Sequence, residues 1–100
     1  MNKRSPHVTR QTMMILSLLM DNTEAQSGSK IAKISGFASG TLYPILIRLE
    51  EAGWIKSEWE NNRIASEAKP RRRLYGITCL GVQRAREEAT AWKPLVESFI

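Results

Sequence analysis

The chain has 100 residues, enough for one domain with one modest hydrophobic core. Its residues are 42% hydrophobic and 25% charged, a composition typical of ordinary soluble globular domains and not of disordered chains. The longest apolar run, residues 13–20, is interrupted by Ser17 and is too short to span a membrane. With no signal peptide or lipidation motif in view, we expect a cytoplasmic protein without a membrane partner.

The net charge of +5 is unevenly distributed. Residues 1–80 carry 12 Lys/Arg against 7 Asp/Glu, whereas residues 81–100 carry three of each. The excess positive charge therefore lies in residues 1–80, before the last predicted helix. A basic surface of this kind favours an anionic partner, either nucleic acid or an anionic membrane.

Two helices are predicted in the first third of the chain. The first runs from Thr9 to Met20 and has helical spacing of its apolar residues. Its buried face is expected to carry Thr12, Ile15, Leu16 and Leu19. A shorter helix follows from Ser27 to Ser35, where we expect Ile31 and Ile34 to be buried and Gly36 to end the helix.

The third helix has the clearest pattern, because its apolar residues fall at i, i+3, i+4 and i+7. These residues are Leu42, Ile45, Leu46 and Leu49. We expect Ser39 or Thr41 to cap the N-terminus and Pro44 to lie in or near the first turn. Gly53 is expected to end the helix with a left-handed backbone, so that Trp54 folds back onto Leu49.

A strand hairpin and a last helix complete the order of elements. Trp54–Glu60 and Arg72–Ile77 alternate as strands do, around a polar tip at residues 61–70. Thr78 then caps a helix that starts near Cys79. The fold class predicted is mainly α with a small β-hairpin: a winged helix-turn-helix domain at residues 1–78, plus a C-terminal dimerisation helix at residues 79–100.

The free side of the third helix is small, hydroxylated and apolar near its N-terminus, with a single arginine. Such a face fits a DNA major groove better than the charged face of most surface helices does. The residues expected to contact DNA there are Ser39, Thr41, Tyr43, Pro44, Ile47 and Arg48. The alternative is a core helix whose outer face has no special role.

The predicted wing is strongly basic. Five cations lie within eleven positions, against Glu67 alone, and they are Arg63, Lys69, Arg71, Arg72 and Arg73. We expect these side chains to bind phosphates without reading sequence, with Lys30 of the second helix adding a backbone contact. The alternative is a solvated loop.

Two motifs resemble those of a known family. The Gly-Thr-Leu-Tyr-Pro run at 40–44 and the Arg-Arg-Arg-Leu-Tyr-Gly-Ile-Thr run at 71–78, followed by Gly81, resemble the recognition-helix and wing signatures of the PadR family. This resemblance implies a dimeric regulator, usually a repressor that binds inverted repeats. It also implies that Tyr43 approaches DNA, that Tyr75 packs in the core, and that a small aromatic effector can bind at the dimer interface.

The last helix carries an apolar seam with alternating spacings of 3 and 4 residues. The seam consists of Val82, Ala85, Ala89, Trp92, Val96 and Phe99. We predict that it forms a homodimer interface, in which packing is the favoured role of Trp92 and an effector contact is the alternative. Pro94 is expected to kink or interrupt the helix near Lys93. The alternative is that the seam packs back within one protomer.

The sequence shows no motif typical of a catalytic site or a metal site. One histidine, His7, and one cysteine, Cys79, are too few for a zinc site, and no phosphate-binding glycine loop or nucleophile elbow is present. We therefore expect no enzyme, metal or cofactor, and a half-buried structural role for Cys79. The function predicted is sequence-specific binding of double-stranded DNA, as a repressor. The alternative is a winged-helix protein-interaction module, such as an antirepressor.

Overall fold

The secondary structure follows the predicted order, with one additional strand. A computed structural model describes residues 8–22, 24–60 and 72–97, with side chains as far as residue 91. The elements are α1 (Arg10–Met20), β1 (Gln26–Ser27), α2 (Gly28–Ser35), α3 (Ser39–Glu51), β2 (Ile55–Trp59), β3 (Arg73–Ile77) and α4 (Cys79–Glu97). The predicted class, mainly helical with a small hairpin, is confirmed.

The sheet has three antiparallel strands in the order β1-β3-β2. Tyr75 lies at its centre, opposite Gln26 on one side and Ser57 on the other. The sequence analysis missed β1, because a two-residue Gln-Ser strand shows no alternation of apolar and polar residues. This strand ties the start of α2 to the wing hairpin.

The hydrophobic core lies where the helix periodicities predicted it, with one exception. The buried residues include Ile15, Leu16, Leu19, Ile31, Leu42, Ile45, Leu46, Leu49, Trp54 and Ile55. The prediction for Ile34 was wrong, since its side chain is 56% exposed. Ile34 lines an open groove between α1 and α2, beside Met13 and Met14, instead of reaching the core.

The predicted limits of α1 and α2 are confirmed by their capping bonds. The hydroxyl of Thr9 accepts a bond of 3.2 Å from the backbone N–H of Thr12, and Ser27 does the same for Lys30 at 3.2 Å. Gly36 ends α2 with a φ of 77°, a left-handed conformation that glycine adopts without steric cost.

The start of α3 differs from the prediction. Its N-cap is Ala38, which makes no side-chain capping bond, so Ser39 and Thr41 are first-turn residues and not caps. Pro44 is the sixth residue of the helix and therefore lies in the second turn, where its missing N–H leaves the carbonyl of Gly40 without a helical donor. Gly40 is exposed, so water can satisfy that carbonyl.

The C-terminus of α3 is fixed by a Schellman motif, as predicted. Gly53 has a φ of 79° and donates its N–H to the carbonyl of Glu50 at 3.0 Å, and the N–H of Trp54 bonds the carbonyl of Leu49 at 2.9 Å. The indole of Trp54 is then only 3% exposed and joins the same core as Leu49.

Thr78 joins this turn to the start of α4. Its hydroxyl lies 2.7 Å from the carbonyl oxygen of Gly53 and 3.0 Å from that of Trp54, and it accepts a 3.0 Å bond from the N–H of Gly81. The predicted cap at Thr78 is thus confirmed. The same side chain holds the ends of α3 and β3 together.

The last helix differs from the prediction in two respects. It continues through Pro94 to Glu97, so the helix is not interrupted near Lys93, and a kink there stays a prediction: a proline removes one backbone hydrogen bond without necessarily ending a helix. Cys79 is exposed and not half-buried. The helix packs against α1. Within the part of the chain that the structure describes, no helix is apolar and long enough to cross a bilayer.

We predict that Gly81→Ala strongly destabilises the fold. A methyl group at Gly81 would overlap the carbonyl oxygen of Trp54 and lie 2.8 Å from Cγ1 of Ile77, so backbone would have to move. The expected loss is about 3 kcal/mol of unfolding free energy, as for other overpacked sites. Urea denaturation followed by circular dichroism measures it.

Gly40→Ala is the matched control for this substitution. A methyl group at Gly40 meets no atom within 4 Å, and alanine favours the helix by about 1 kcal/mol over glycine. Gly40→Ala should therefore equal or exceed the wild type in stability. Equal stability of Gly81→Ala and the wild type would contradict the close packing of α4 on the α3–β2 turn.

Candidate nucleic-acid interface

Helix α3 has two chemically different faces. One carries the four buried core residues, and the other is exposed at Ser39, Thr41, Pro44, Ile47 and Arg48. Ile47 is 56% exposed and gives this face an apolar group that a ligand can contact. Arg48 is exposed on the same face. The exposure of the predicted contact face is confirmed.

Tyr43 lies at the boundary of this face and contacts α2. A methyl group placed on Gly28 would be 2.6 Å from the Tyr43 hydroxyl oxygen and 3.0 Å from its Cε1. Glycine at the first position of α2 lets the tyrosine ring lie against it, and a larger residue there would require the end of the Tyr43 side chain to shift. The contact positions the N-terminal half of α3 beside the first turn of α2, where Ser29 and Lys30 are exposed. The sequence alone does not predict this packing, because Gly28 and Tyr43 lie in different helices.

Arg72 is the most accessible of the described wing arginines. Its side chain is 60% exposed, and both its Nε and its Nη2 donate to one oxygen of Glu60, at 3.0 and 2.7 Å. Three other predicted wing contacts, Arg63, Lys69 and Arg71, lie outside the described residues.

Arg73 is held by other residues of the fold. Its Nε donates to the hydroxyl of Ser57 at 2.8 Å, and that hydroxyl donates to the Glu50 carboxylate at 2.5 Å. The guanidinium also lies 3.9 Å from the carboxylate and 5.1 Å from the centre of the Trp59 ring. The predicted alternation of Arg72 and Arg73 is thus observed, but Glu50, Ser57 and Trp59 were not foreseen, because these contacts link positions distant in sequence.

Tyr75 packs in the core beneath this cluster, as the family resemblance implied. Burial raises the pKa of its phenol, and the nearby carboxylate of Glu50 and the Tyr43 side chain raise it further, while Arg73 acts in the opposite direction. The phenol is therefore neutral at physiological pH. It contributes packing beneath the α3–wing junction and no charge.

The described part of the α4 seam is divided between core and surface. Ala85 is only 3% exposed within one protomer, so its side chain has no free surface to offer a second copy. Val82 is half-buried and Ala89 is exposed. The side chains of Trp92, Val96 and Phe99 lie outside the described residues.

The architecture matches those of known transcription regulators. A PadR family transcription regulator from Clostridium difficile superposes with a TM-score of 0.75 and 24% identity, over 90% of this chain and 94% of that one. A PadR family transcriptional regulator from Eggerthella lenta gives 0.70 and 28%, over 90% and 80%. MepR, a transcription regulator of the Staphylococcus aureus multidrug efflux pump MepA, gives 0.73 and 17%, over 93% and 64%.

The sequence comparisons agree with the structural ones. No curated protein matches the sequence significantly. The model of the transcriptional regulator PadR-like family matches residues 15–87, which include α3, both wing strands and the start of α4. The chain therefore belongs to the PadR-like family of transcriptional regulators.

Proposed function

We propose that this regulator binds double-stranded DNA sequence-specifically, as a homodimer on an inverted-repeat operator, and represses transcription. The observation that carries the proposal is the exposed face of α3, which is small, hydroxylated and apolar near its N-terminus and includes the exposed Arg48. Residues 39–48 of this face contain no Asp or Glu, so this part can enter the major groove without bringing a carboxylate to the phosphates. The family supports the same conclusion, since regulators of this kind act at DNA.

Base recognition is assigned to the exposed residues of α3. The hydroxyls of Ser39 and Thr41 can bond base edges or phosphates, and the exposed methyls of Ile47 suit the methyl group of thymine. The guanidinium of Arg48 can donate two hydrogen bonds to O6 and N7 of a guanine base. Tyr43 and Pro44 complete the surface that faces the groove.

Phosphate binding is assigned to Lys30 and to the wing. Lys30 is exposed in the first turn of α2, close to the Tyr43 contact. Arg72 is 60% exposed in its pair with Glu60, whose side chain is 26% exposed, and ion pairs at a protein surface contribute only about 0–1 kcal/mol, so a phosphate can replace Glu60 as the partner. From their charge alone, Arg63, Lys69 and Arg71 are expected to add further contacts.

The geometry of operator recognition supports the proposed dimer. One protomer presents a single α3, whereas a symmetric pair reads two half-sites about 34–36 Å apart. The surface assigned to the interface combines Val82 and the exposed Ala89 with the sequence-predicted Trp92, Val96 and Phe99. A small aromatic effector beside Trp92 is a further prediction of the family resemblance.

We predict that Arg48→Ala and Thr41→Ala change which sites are preferred. Loss of a base contact should cost about 1–3 kcal/mol at the best site and little at unrelated sites. Sites selected from random duplex DNA, followed by competition binding, give the measurement. Arg84→Ala is the control, because it removes an equal charge from α4, where Arg84 is paired with Glu87 at 3.0 Å. Equal weakening at every site would make these residues backbone contacts only.

We predict that Arg72→Ala weakens binding to all duplexes and flattens its salt dependence. Each lost phosphate contact should reduce the slope of log Kobs against log salt by about 0.9. Titrations at several salt concentrations, with Arg84→Ala as control, measure the change. An unaltered slope would exclude Arg72 from the phosphate contacts. A wild-type protein that binds no duplex would favour the protein-interaction alternative.

We predict that the wild type sediments as a dimer at micromolar concentration. Trp92→Ala combined with Val96→Asp should give monomers and abolish binding to a palindrome, because the apolar seam is lost. Trp92→Phe, which keeps an aromatic side chain, serves as control and should remain dimeric. Monomeric wild type, or a double variant that still dimerises, would contradict this interface.

A further inference from the structure

Three side chains from α3, β2 and β3 meet at one hydroxyl group. Glu50 lies in the last turn of α3, Ser57 at the centre of β2 and Arg73 at the start of β3. The Ser57 hydroxyl accepts from Arg73 Nε at 2.8 Å and donates to Glu50 Oε2 at 2.5 Å. The hydroxyl thus uses its single proton toward the carboxylate and a lone pair toward the guanidinium, and so links all three elements.

The guanidinium of Arg73 is constrained on several sides. Ser57 bonds its Nε, the Glu50 carboxylate lies 3.9 Å from its Nη2, and the Trp59 ring covers it at 5.1 Å. A planar guanidinium held by a hydrogen bond, a charge and a ring face has one favoured direction. Turning Arg73 toward a phosphate would break the bond from its Nε to Ser57 and move the guanidinium off the Trp59 ring. Arg72 is the more exposed of the two side chains, at 60% against 40%, and its partner among the described residues is Glu60.

We propose that Glu50, Ser57 and Arg73 form a positioning cluster that sets the angle between the recognition helix and the wing, and that Arg73 is not itself a phosphate contact. This inference rests on the DNA-binding function proposed above. The two neighbouring arginines then have different roles. Arg72 binds the DNA backbone, and Arg73 orients the hairpin that carries Arg72.

The need for such a cluster follows from the way the hairpin joins α3. The connection is the short turn at Gly53, closed by the bond from the Trp54 N–H to the Leu49 carbonyl. That turn fixes where β2 begins, while the Glu50–Ser57 bond fixes the direction in which it leaves. Base contacts from α3 and phosphate contacts from the wing can form together only if this direction is right.

The test compares Ser57→Ala, Arg73→Ala and their double variant with Arg72→Ala. All titrations are made under conditions where urea denaturation shows each variant fully folded. We expect Ser57→Ala and Arg73→Ala each to weaken operator binding about fivefold, the scale of one lost hydrogen bond. The double variant should bind no more weakly than Arg73→Ala, because both changes break the same cluster. Ser57→Thr, which keeps the hydroxyl, should restore wild-type affinity.

Two further readouts separate positioning from charge. The salt slope should stay at the wild-type value for Ser57→Ala and Arg73→Ala, and fall by about 0.9 only for Arg72→Ala. Hydroxyl-radical footprints should show weaker protection of the flanking backbone in Ser57→Ala, although that variant loses no charge. A lower slope for Arg73→Ala, additive losses, or an unchanged footprint for Ser57→Ala would overturn the positioning role. Absence of any wild-type duplex binding would overturn the DNA-binding proposal as well.

Discussion

Burial of one side of α3 is the constraint on which the rest of the structure depends. Each fully buried leucine or isoleucine contributes about 1.5–3 kcal/mol, so the four core residues of α3 together approach the whole net stability of a small domain. The helix therefore cannot rotate about its axis without large loss. Because the buried side is fixed, the opposite side is held outward, where Thr41, Ile47 and Arg48 are exposed.

The junction after α3 transfers this fixed orientation to the wing and to α4. The Schellman turn buries Trp54, and Thr78 bonds the same turn from the end of β3. Gly81 lets α4 pass directly over the Trp54 carbonyl, an approach that a β-carbon would prevent. The wing, α3 and α4 are thus attached to one another at a single turn. The positions of the wing and of α4 therefore follow from that of α3.

The charged side chains of this fold have two kinds of effect, one general and one local. The excess of lysine and arginine over residues 1–80 produces a positive field whatever the local geometry. The role of a single arginine depends on what lies beside it. Arg72 is 60% exposed and is paired with Glu60, whereas Arg73 is 40% exposed and is held by Ser57, Glu50 and Trp59, so equal charges at adjacent positions differ in availability.

The sequence by itself determined the helices, the ends of α1 and α2, the C-terminus of α3 and the two faces of α3, because periodicity and capping are local properties of the chain, as Ser27, Gly36 and Gly53 show. It also identified the family through two motifs. Only the tertiary structure decided features that rest on contacts distant in sequence. These are the strand at Gln26, the exposure of Ile34, the burial of Ala85 within one protomer and the partners of Arg73. Each of these features depends on which surfaces come into contact after folding, and a local sequence pattern does not determine those contacts.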